Sequence, residues 1–346
     1  MQRIAIVGAA GFVGVNLAVR ASRDGHELLL IDIKDRFKRL AASGLLAQPG
    51  VKFIEVDACE LHPSDIGDVD CIFHLAALSH VEYSIHEPYE AIRNNILSLA
   101  RVLETARKLA IPVIFTSSIE VYGGGDAGQT FLEGSPLDPL SPYGGSKAAG
   151  EMLVGSYINA YGLKASILRL TNLYGPWQLP DRLVPRVITQ VLSNMRPEID
   201  DLRFRDMVYI DDAVDALLEV FRRKAWGKVL NIASGRAIKT RVVAEAILKL
   251  PQDVSARARP LGDSGYDNVS PNDDGRGLSL VSSGELIKDE LDWRPTVALE
   301  EGLSLTSAWY IRREEWWSQF HEFLWRDRST PRFIVDYDTW GPLASA

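Results

Sequence analysis

Tyr143 and Lys147 stand four positions apart in Ser141-Pro142-Tyr143-Gly144-Gly145-Ser146-Lys147. Ser141 reads as a helix N-cap and Pro142 as a residue of the first turn, so the two side chains share one helix face. A phenol ionises at about pH 10, and a neighbouring ammonium favours the phenolate, bringing it toward the operating pH of a general base. Ser118, at the end of the apolar run Val113 to Ser118, supplies a hydroxyl that can bond the same substrate oxygen. Ser118, Tyr143 and Lys147 together are equipped to remove a proton from an alcohol as its carbon is oxidised.

Such groups need a scaffold and a hydride acceptor. Short apolar runs alternate with stretches of helical period through the first half of the chain, the pattern of βαβ units in a doubly wound parallel sheet. Strands are expected near Arg3 to Gly8, Glu27 to Asp32, Val51 to Asp57, Cys71 to Ala77, Val113 to Ser118, Lys164 to Asn172 and Val229 to Ala233. Ala91 to Ala110 repeats apolar residues at helical spacing. Gly8-Ala9-Ala10-Gly11-Phe12-Val13-Gly14 follows the first strand and opens a helix, which permits a tight turn and the approach of a pyrophosphate to the helix N-terminus. Asp32 ends the second strand, where a carboxylate holds ribose hydroxyls and repels a 2′-phosphate; this selects NAD, with Lys34 and Arg36 the features that favour NADP. Asp57 and Ala58, and Leu75-Ala76-Ala77, fall at the carboxyl edge where such sheets bind ligands. Asp57 can accept from the adenine amino group or cap a turn. A bound nicotinamide ring, being positive, adds to the effect of Lys147 on the phenol.

The chain has 346 residues, with 38 Lys plus Arg against 46 Asp plus Glu and a net charge of −8. This acidic balance disfavours nucleic-acid binding. Cys59 and Cys71 sit in apolar or strand-like stretches and are expected as reduced thiols. The opening run Ile4 to Val7 is too short for a signal-peptide core and no later run is long enough to span a bilayer, so a cytoplasmic protein is expected. His80 and His86 lack partners at ligand spacing; neither is assigned to catalysis and no metal is expected.

Residues 1–175, with 207–235 returning to them, are expected to form a Rossmann domain that binds NAD. Residues 176–206 and 236–346 are expected to form a smaller C-terminal substrate-binding lobe and an aromatic tail. Gly262 to Gly277 reads as a long loop. Trp309, Trp316, Trp317, Phe320, Phe323 and Trp325 need a surface to cover, either the core or another subunit.

Several motifs occur together and in order. They are the glycine turn at 8–14, His74-Leu75-Ala76-Ala77, Ser117-Ser118-Ile119-Glu120-Val121-Tyr122-Gly123, Tyr143 with Lys147, Asn172-Leu173-Tyr174-Gly175-Pro176 and Arg205-Asp206-Met207-Val208-Tyr209-Ile210-Asp211-Asp212. In these the chain resembles the extended short-chain dehydrogenase/reductases, specifically the NAD-dependent nucleotide-sugar epimerases and dehydratases, from Arg3 to about Pro295. Ser79-His80-Val81 and the stretch Tyr174 to Pro185 look most like the dTDP-glucose 4,6-dehydratase branch.

The resemblance implies a homodimer that oxidises a sugar carbon, usually C4, to a transient ketone through Ser118, Tyr143 and Lys147 on bound NAD. It assigns Ser79 to the substrate, Asn172 and Arg205 to the nucleotide-sugar diphosphate, and Leu183 and Val184 to the base. An Arg fork suits a diphosphate because it bonds two oxygens at once.

Two features depart from that branch. Ile119 stands where 4,6-dehydratases pair an Asp with the Glu, and Ile donates no proton to a departing C6 hydroxyl. Glu120 remains, a candidate base for a C5 proton beside a C4 ketone. The stretch Met195 to Arg205 is also shorter than in the family. The expected activity is dehydration or epimerisation, with plain 4-epimerisation or decarboxylation as alternatives and a non-catalytic NAD-binding protein as the distant one.

Overall fold

The computed structural model describes residues 1–34, 38–126, 128–199, 203–250, 262–263 and 279–320. Arg36, Phe323, Trp325 and nearly all of the stretch Gly262 to Gly277 lie outside them. The chain divides into two compact units, one of residues 1–173, 204–237 and 275–297, the other of residues 174–203, 238–274 and 298–346.

The first unit is a seven-stranded parallel sheet. Its strands are β1 (Arg3–Val7), β2 (Glu27–Asp32), β3 (Val51–Glu55), β4 (Cys71–His74), β5 (Val113–Ser118), β6 (Ala165–Leu170) and Val229–Ile232. Read across the sheet the order is β3, β2, β1, β4, β5, β6 and Val229–Ile232, a doubly wound Rossmann arrangement that reverses direction between β1 and β4. The strands alternate sides as a pleat requires. On β4, Ile72 joins an apolar core with Leu99, Val102, Phe115 and Val154, while Phe73 meets Phe221 edge-on at 5.8 Å. Helices α5 (Pro88–Leu109) and α6 (Pro142–Tyr161) supply that core, and the helix Ile210–Arg222 supplies Phe221. Continuous apolar strand runs thus reflect burial on both faces.

Five strands end earlier than expected, β6 at Leu170 and the last strand at Ile232 among them. β1 stops at Val7, β3 at Glu55 and β4 at His74, because Gly8, Asp57 and Ala76-Ala77 already belong to turns beyond the carboxyl edge. The run Lys164 to Asn172 is two strands, β6 and Asn172–Tyr174, broken at Thr171, whose hydroxyl bonds the Asp206 carbonyl at 3.1 Å. Residues 204–206 and 279–297, expected in the second lobe, belong to the first unit. Asp212 holds the latter segment, accepting from the backbone N–H and hydroxyl of Thr296 at 3.0 and 2.8 Å and from the Val297 N–H at 3.0 Å.

The second unit contains the helices Leu183–Leu192, Thr240–Leu248, Leu299–Arg312 and Glu314–Ser318, and a parallel pairing of Glu198–Ile199 with Gly262–Asp263. The tail aromatics among the described residues pack within this unit. Trp316 meets Trp177 and Trp309 edge-on at 5.4 and 5.3 Å, and the Trp317 indole donates to the Tyr310 carbonyl at 2.8 Å.

Candidate active site

The nucleotide end is built where the sheet reverses. Gly8 has φ +90°, and a Cβ there would lie 2.5 Å from the Ala76 nitrogen, so only glycine lets the β1 turn pass beside the end of β4. The N–H groups of Gly8 and Ala9 donate to the Ile31 carbonyl at 2.8 and 3.2 Å, and Leu75 N–H donates to the Val7 carbonyl at 2.8 Å. Gly11 caps helix α1 (Phe12–Arg23), whose first-turn N–H groups, those of Phe12 and Val13 among them, have no intrahelical acceptor and form the kind of donor set a pyrophosphate requires. Gly14 packs against the turn itself; a Cβ would lie 2.2 Å from the Gly8 carbonyl oxygen.

Asp32 reaches back across this turn. One carboxylate oxygen accepts from Ala10 N–H and the other from Ile33 N–H, both at 2.9 Å. The carboxylate is therefore fixed beside the glycine turn, where ribose hydroxyls would meet it. Lys34 is exposed. Arg39, which the sequence pattern did not single out, is 3% exposed and donates to the Ala10 carbonyl at 3.0 Å. Asp57 is exposed and accepts from Cys59 N–H at 2.8 Å, the turn-capping role, while Ala58 beside it is buried. The cradle fits a dinucleotide: a glycine turn with no room for side chains, a helix N-terminus and a carboxylate at the adenosine end.

The chemical end lies along β5 and α6. Ser118 is 7% exposed, and its hydroxyl accepts from Glu120 N–H at 3.2 Å, capping the single helical turn Ile119–Tyr122. That bond uses one lone pair and leaves the hydroxyl proton to donate. Glu120 is half-buried on this turn. Ile119 points elsewhere, 2% exposed in an apolar cluster with Val121, Tyr122, Phe131 and Leu280.

Ser141 caps α6, accepting from Gly144 N–H at 3.1 Å. A Cβ on Gly144 would lie 2.6 Å from the Glu120 carbonyl oxygen, so this glycine lets the helix carrying Tyr143 lie directly against the turn carrying Glu120. Tyr143 is held at both backbone atoms: its N–H donates to Ser84 Oγ at 3.1 Å and its carbonyl accepts from Ser146 Oγ at 2.7 Å. Asn95 ties Ser146 to the loop after β4, donating to Ser146 Oγ at 2.9 Å and accepting from Leu78 N–H at 2.7 Å. This loop carries Ala77 and the exposed Ser79. Lys147 is 4% exposed and donates to the Thr116 carbonyl at 2.8 Å. Burial pushes its pKa down to about 7, against the pull of Glu151. His74 stacks on Phe115 at 6.0 Å, and burial with the Lys147 charge takes its pKa to about 3, so it is neutral. His80 uses Nδ1 to accept from Tyr83 N–H at 3.3 Å, capping helix α4 (Val81–His86).

The residues expected at the diphosphate meet through Asp206. Its carbonyl accepts from Asn172 Nδ2 at 3.2 Å, and Arg205 precedes it in the chain and donates to the Phe204 carbonyl at 3.0 Å. The Asp206 carboxylate accepts from the N–H and hydroxyl of Ser234 and from Gly235 N–H at 2.9, 2.6 and 3.0 Å. Asp206 organises this corner, and no sequence spacing points to it. Leu183 and Val184 open a helix of the second unit, and Val184 is 1% exposed.

Residues 4–233 match the model of the NAD dependent epimerase/dehydratase family. The dTDP-glucose 4,6-dehydratase of Streptomyces antibioticus is 30% identical over 328 residues, covering 91% of this chain and 94% of that protein. Among solved structures, DesIV, a dTDP-glucose 4,6-dehydratase from Streptomyces venezuelae with NAD and TYD bound, is similar with a TM-score of 0.80 at 28% identity, covering 92% of this chain and 99% of the other. TunA, an NAD dependent NDP-hexosamine 5,6-dehydratase involved in tunicamycin biosynthesis, is similar with a TM-score of 0.74 at 28% identity, covering 90% of this chain and 99% of that one. The chain belongs to the NAD dependent epimerase/dehydratase family, and NAD is its cofactor.

Among the described residues no three His, Cys, Asp or Glu side chains gather as a metal site, and no helix is long and apolar enough to cross a membrane.

Proposed function

We propose that the protein acts on a nucleotide-diphosphate sugar by transient oxidation at C4, followed by proton removal at C5. NAD supplies reversible hydride acceptance. Tyr143 removes the C4 hydroxyl proton, Ser118 donates a hydrogen bond to the same oxygen, and the Lys147 ammonium favours the phenolate. Once C4 is a ketone, the C5 proton is acidic enough for a carboxylate, and Glu120 takes it. Asn172 and Arg205 hold the diphosphate, and Ser79 contacts the sugar.

The observation that carries this reading is the close fit of α6 at Gly144 against the backbone of the Glu120 turn, which sets the helix of Tyr143 and Lys147 directly against the turn that bears Glu120. Ile119 bears on the outcome. Buried among apolar side chains, Ile119 has no proton to give a departing C6 hydroxyl, so acid-assisted loss of that hydroxyl has no donor at position 119. That favours C5 exchange leading to epimerisation or to a different dehydration, and the likeness to a 5,6-dehydratase agrees with it.

The protein works as a cytoplasmic homodimer in this reading. Tyr89, Ile92 and Leu97 on α5 and Met152 on α6 are 73, 41, 49 and 65% exposed, an apolar face suited to a second copy. Mass spectrometry of the protein incubated with dTDP-glucose, UDP-glucose, UDP-N-acetylglucosamine and UDP-glucuronate tests the function. Loss of water or, in deuterated buffer, an isomer made heavier by a single deuterium at C5 is expected. Inert recovery of every sugar contradicts it.

A further inference from the structure

Glu151 and Arg169 form an ion pair at 2.6 Å between side chains that are 2 and 6% exposed. The contact is bidentate, with Arg169 Nε on one carboxylate oxygen at 2.9 Å and Nη2 on the other at 2.6 Å. Glu151 follows Lys147 by one turn of α6, as Lys147 follows Tyr143.

The pair also reaches the opposite side of the chemistry. Ser117, the residue before Ser118, donates its hydroxyl to Glu151 at 2.6 Å. Arg169 Nη1 donates to the Tyr122 hydroxyl at 2.7 Å and to the Glu133 carbonyl at 2.8 Å, and its guanidinium lies 5.0 Å from the Tyr122 ring centre. Tyr122 ends the turn that carries Glu120, and its own hydroxyl donates to Asn231 at 2.8 Å. Buried ion pairs seldom outdo well-packed apolar side chains in stability, so stability alone is a weak reason for one here. What apolar replacements would lose is the set of bonds outward to Ser117 and Tyr122.

We propose that Glu151 and Arg169 are positioning residues, a buried fork that fixes the segment of Ser118 and Glu120 against the helix of Tyr143 and Lys147. This rests on the function proposed above. Neither residue touches the sugar; the pair sets the distance between groups that do.

The test compares wild type with Ser117→Ala, Arg169→Lys, Arg169→Met and the paired change Glu151→Met with Arg169→Met. Thermal midpoints are read with NAD present, and kcat and KM with whichever of the four sugars wild type turns over fastest. The paired variant should melt close to wild type while kcat falls about tenfold or more and KM changes by less than about threefold. Arg169→Lys, which keeps the charge and one bond, should recover part of the kcat lost in Arg169→Met. A paired variant with wild-type kcat, or a loss that only follows the folded fraction, overturns the proposal. Should the paired variant not fold, Ser117→Ala decides: a kcat drop of about threefold or more with unchanged melting supports it, and unchanged kcat overturns it. Wild type inert on all four sugars removes the proposed function and this role with it, a result separable from variants that match an active wild type.

Discussion

Lys147 donates to the carbonyl oxygen of Thr116 at 2.8 Å from a side chain that is 4% exposed, and burial lowers its pKa to about 7. The folded chain thus binds fewer protons here than the unfolded chain between about pH 7 and the usual lysine value of 10.5. Below that window the buried ammonium costs stability, and the cost fades as pH rises through it. The span is on the order of 5 kcal/mol. Lys147→Met should therefore melt above wild type at pH 6, with the gap narrowing by pH 9.5. Thermal scans of both proteins without added NAD check this, and a gap independent of pH contradicts it.

Gly144→Ala should damage the site without touching any reacting group. Its Cβ would fall 2.6 Å from the Glu120 carbonyl oxygen and 3.0 Å from Pro139 Cβ, so either α6 or the Glu120 turn must move. Overpacking of this kind costs about 1–3 kcal/mol. A lowered thermal midpoint and a fall in kcat are expected, whereas Gly145→Ala, with nothing within 4 Å of the added carbon, should leave the midpoint near wild type.

The contrast between these glycines shows what a sequence conveys. Glu27–Asp32 and Val113–Ser118 match their expected bounds because each is a buried apolar run closed by a change of residue type. β1, β3 and β4 read too long because the residues just beyond them are also small or apolar, serving the ligand edge rather than the sheet. The placement of Ser118 at the end of β5 and of Tyr143 and Lys147 on α6 is legible because strand and helix period fix it. Asp206, Arg39 and Asn95 are not, since they act on backbone groups 17 to 29 positions away, and such contacts leave no local pattern.

Asp32→Ala should weaken NAD binding and narrow the preference for NAD over NADP. The carboxylate that would repel a 2′-phosphate is removed, and Ala10 N–H loses its acceptor at 2.9 Å. Titration of both cofactors by tryptophan fluorescence measures the ratio. Tighter binding of NADP than of NAD by wild type would contradict the role given to Asp32.

Arg205→Ala should raise KM far more than it lowers kcat, because a group that holds the diphosphate acts alike on ground and transition states. Steady-state kinetics on the active sugar read this directly. An unchanged KM would make Arg205 a structural residue.

Glu120 decides the reaction, and its amide variant is the most direct measurement. Glu120→Gln keeps size and a hydrogen bond but accepts no proton, so oxidation at C4 should continue while the C5 step stops. Mixing with the active sugar in deuterated buffer should then give persistent NADH absorbance and recovered sugar with no deuterium at C5. Wild type should place deuterium there. Wild-type product formed without any C5 deuterium would contradict the account and leave an epimerase acting at C4 alone.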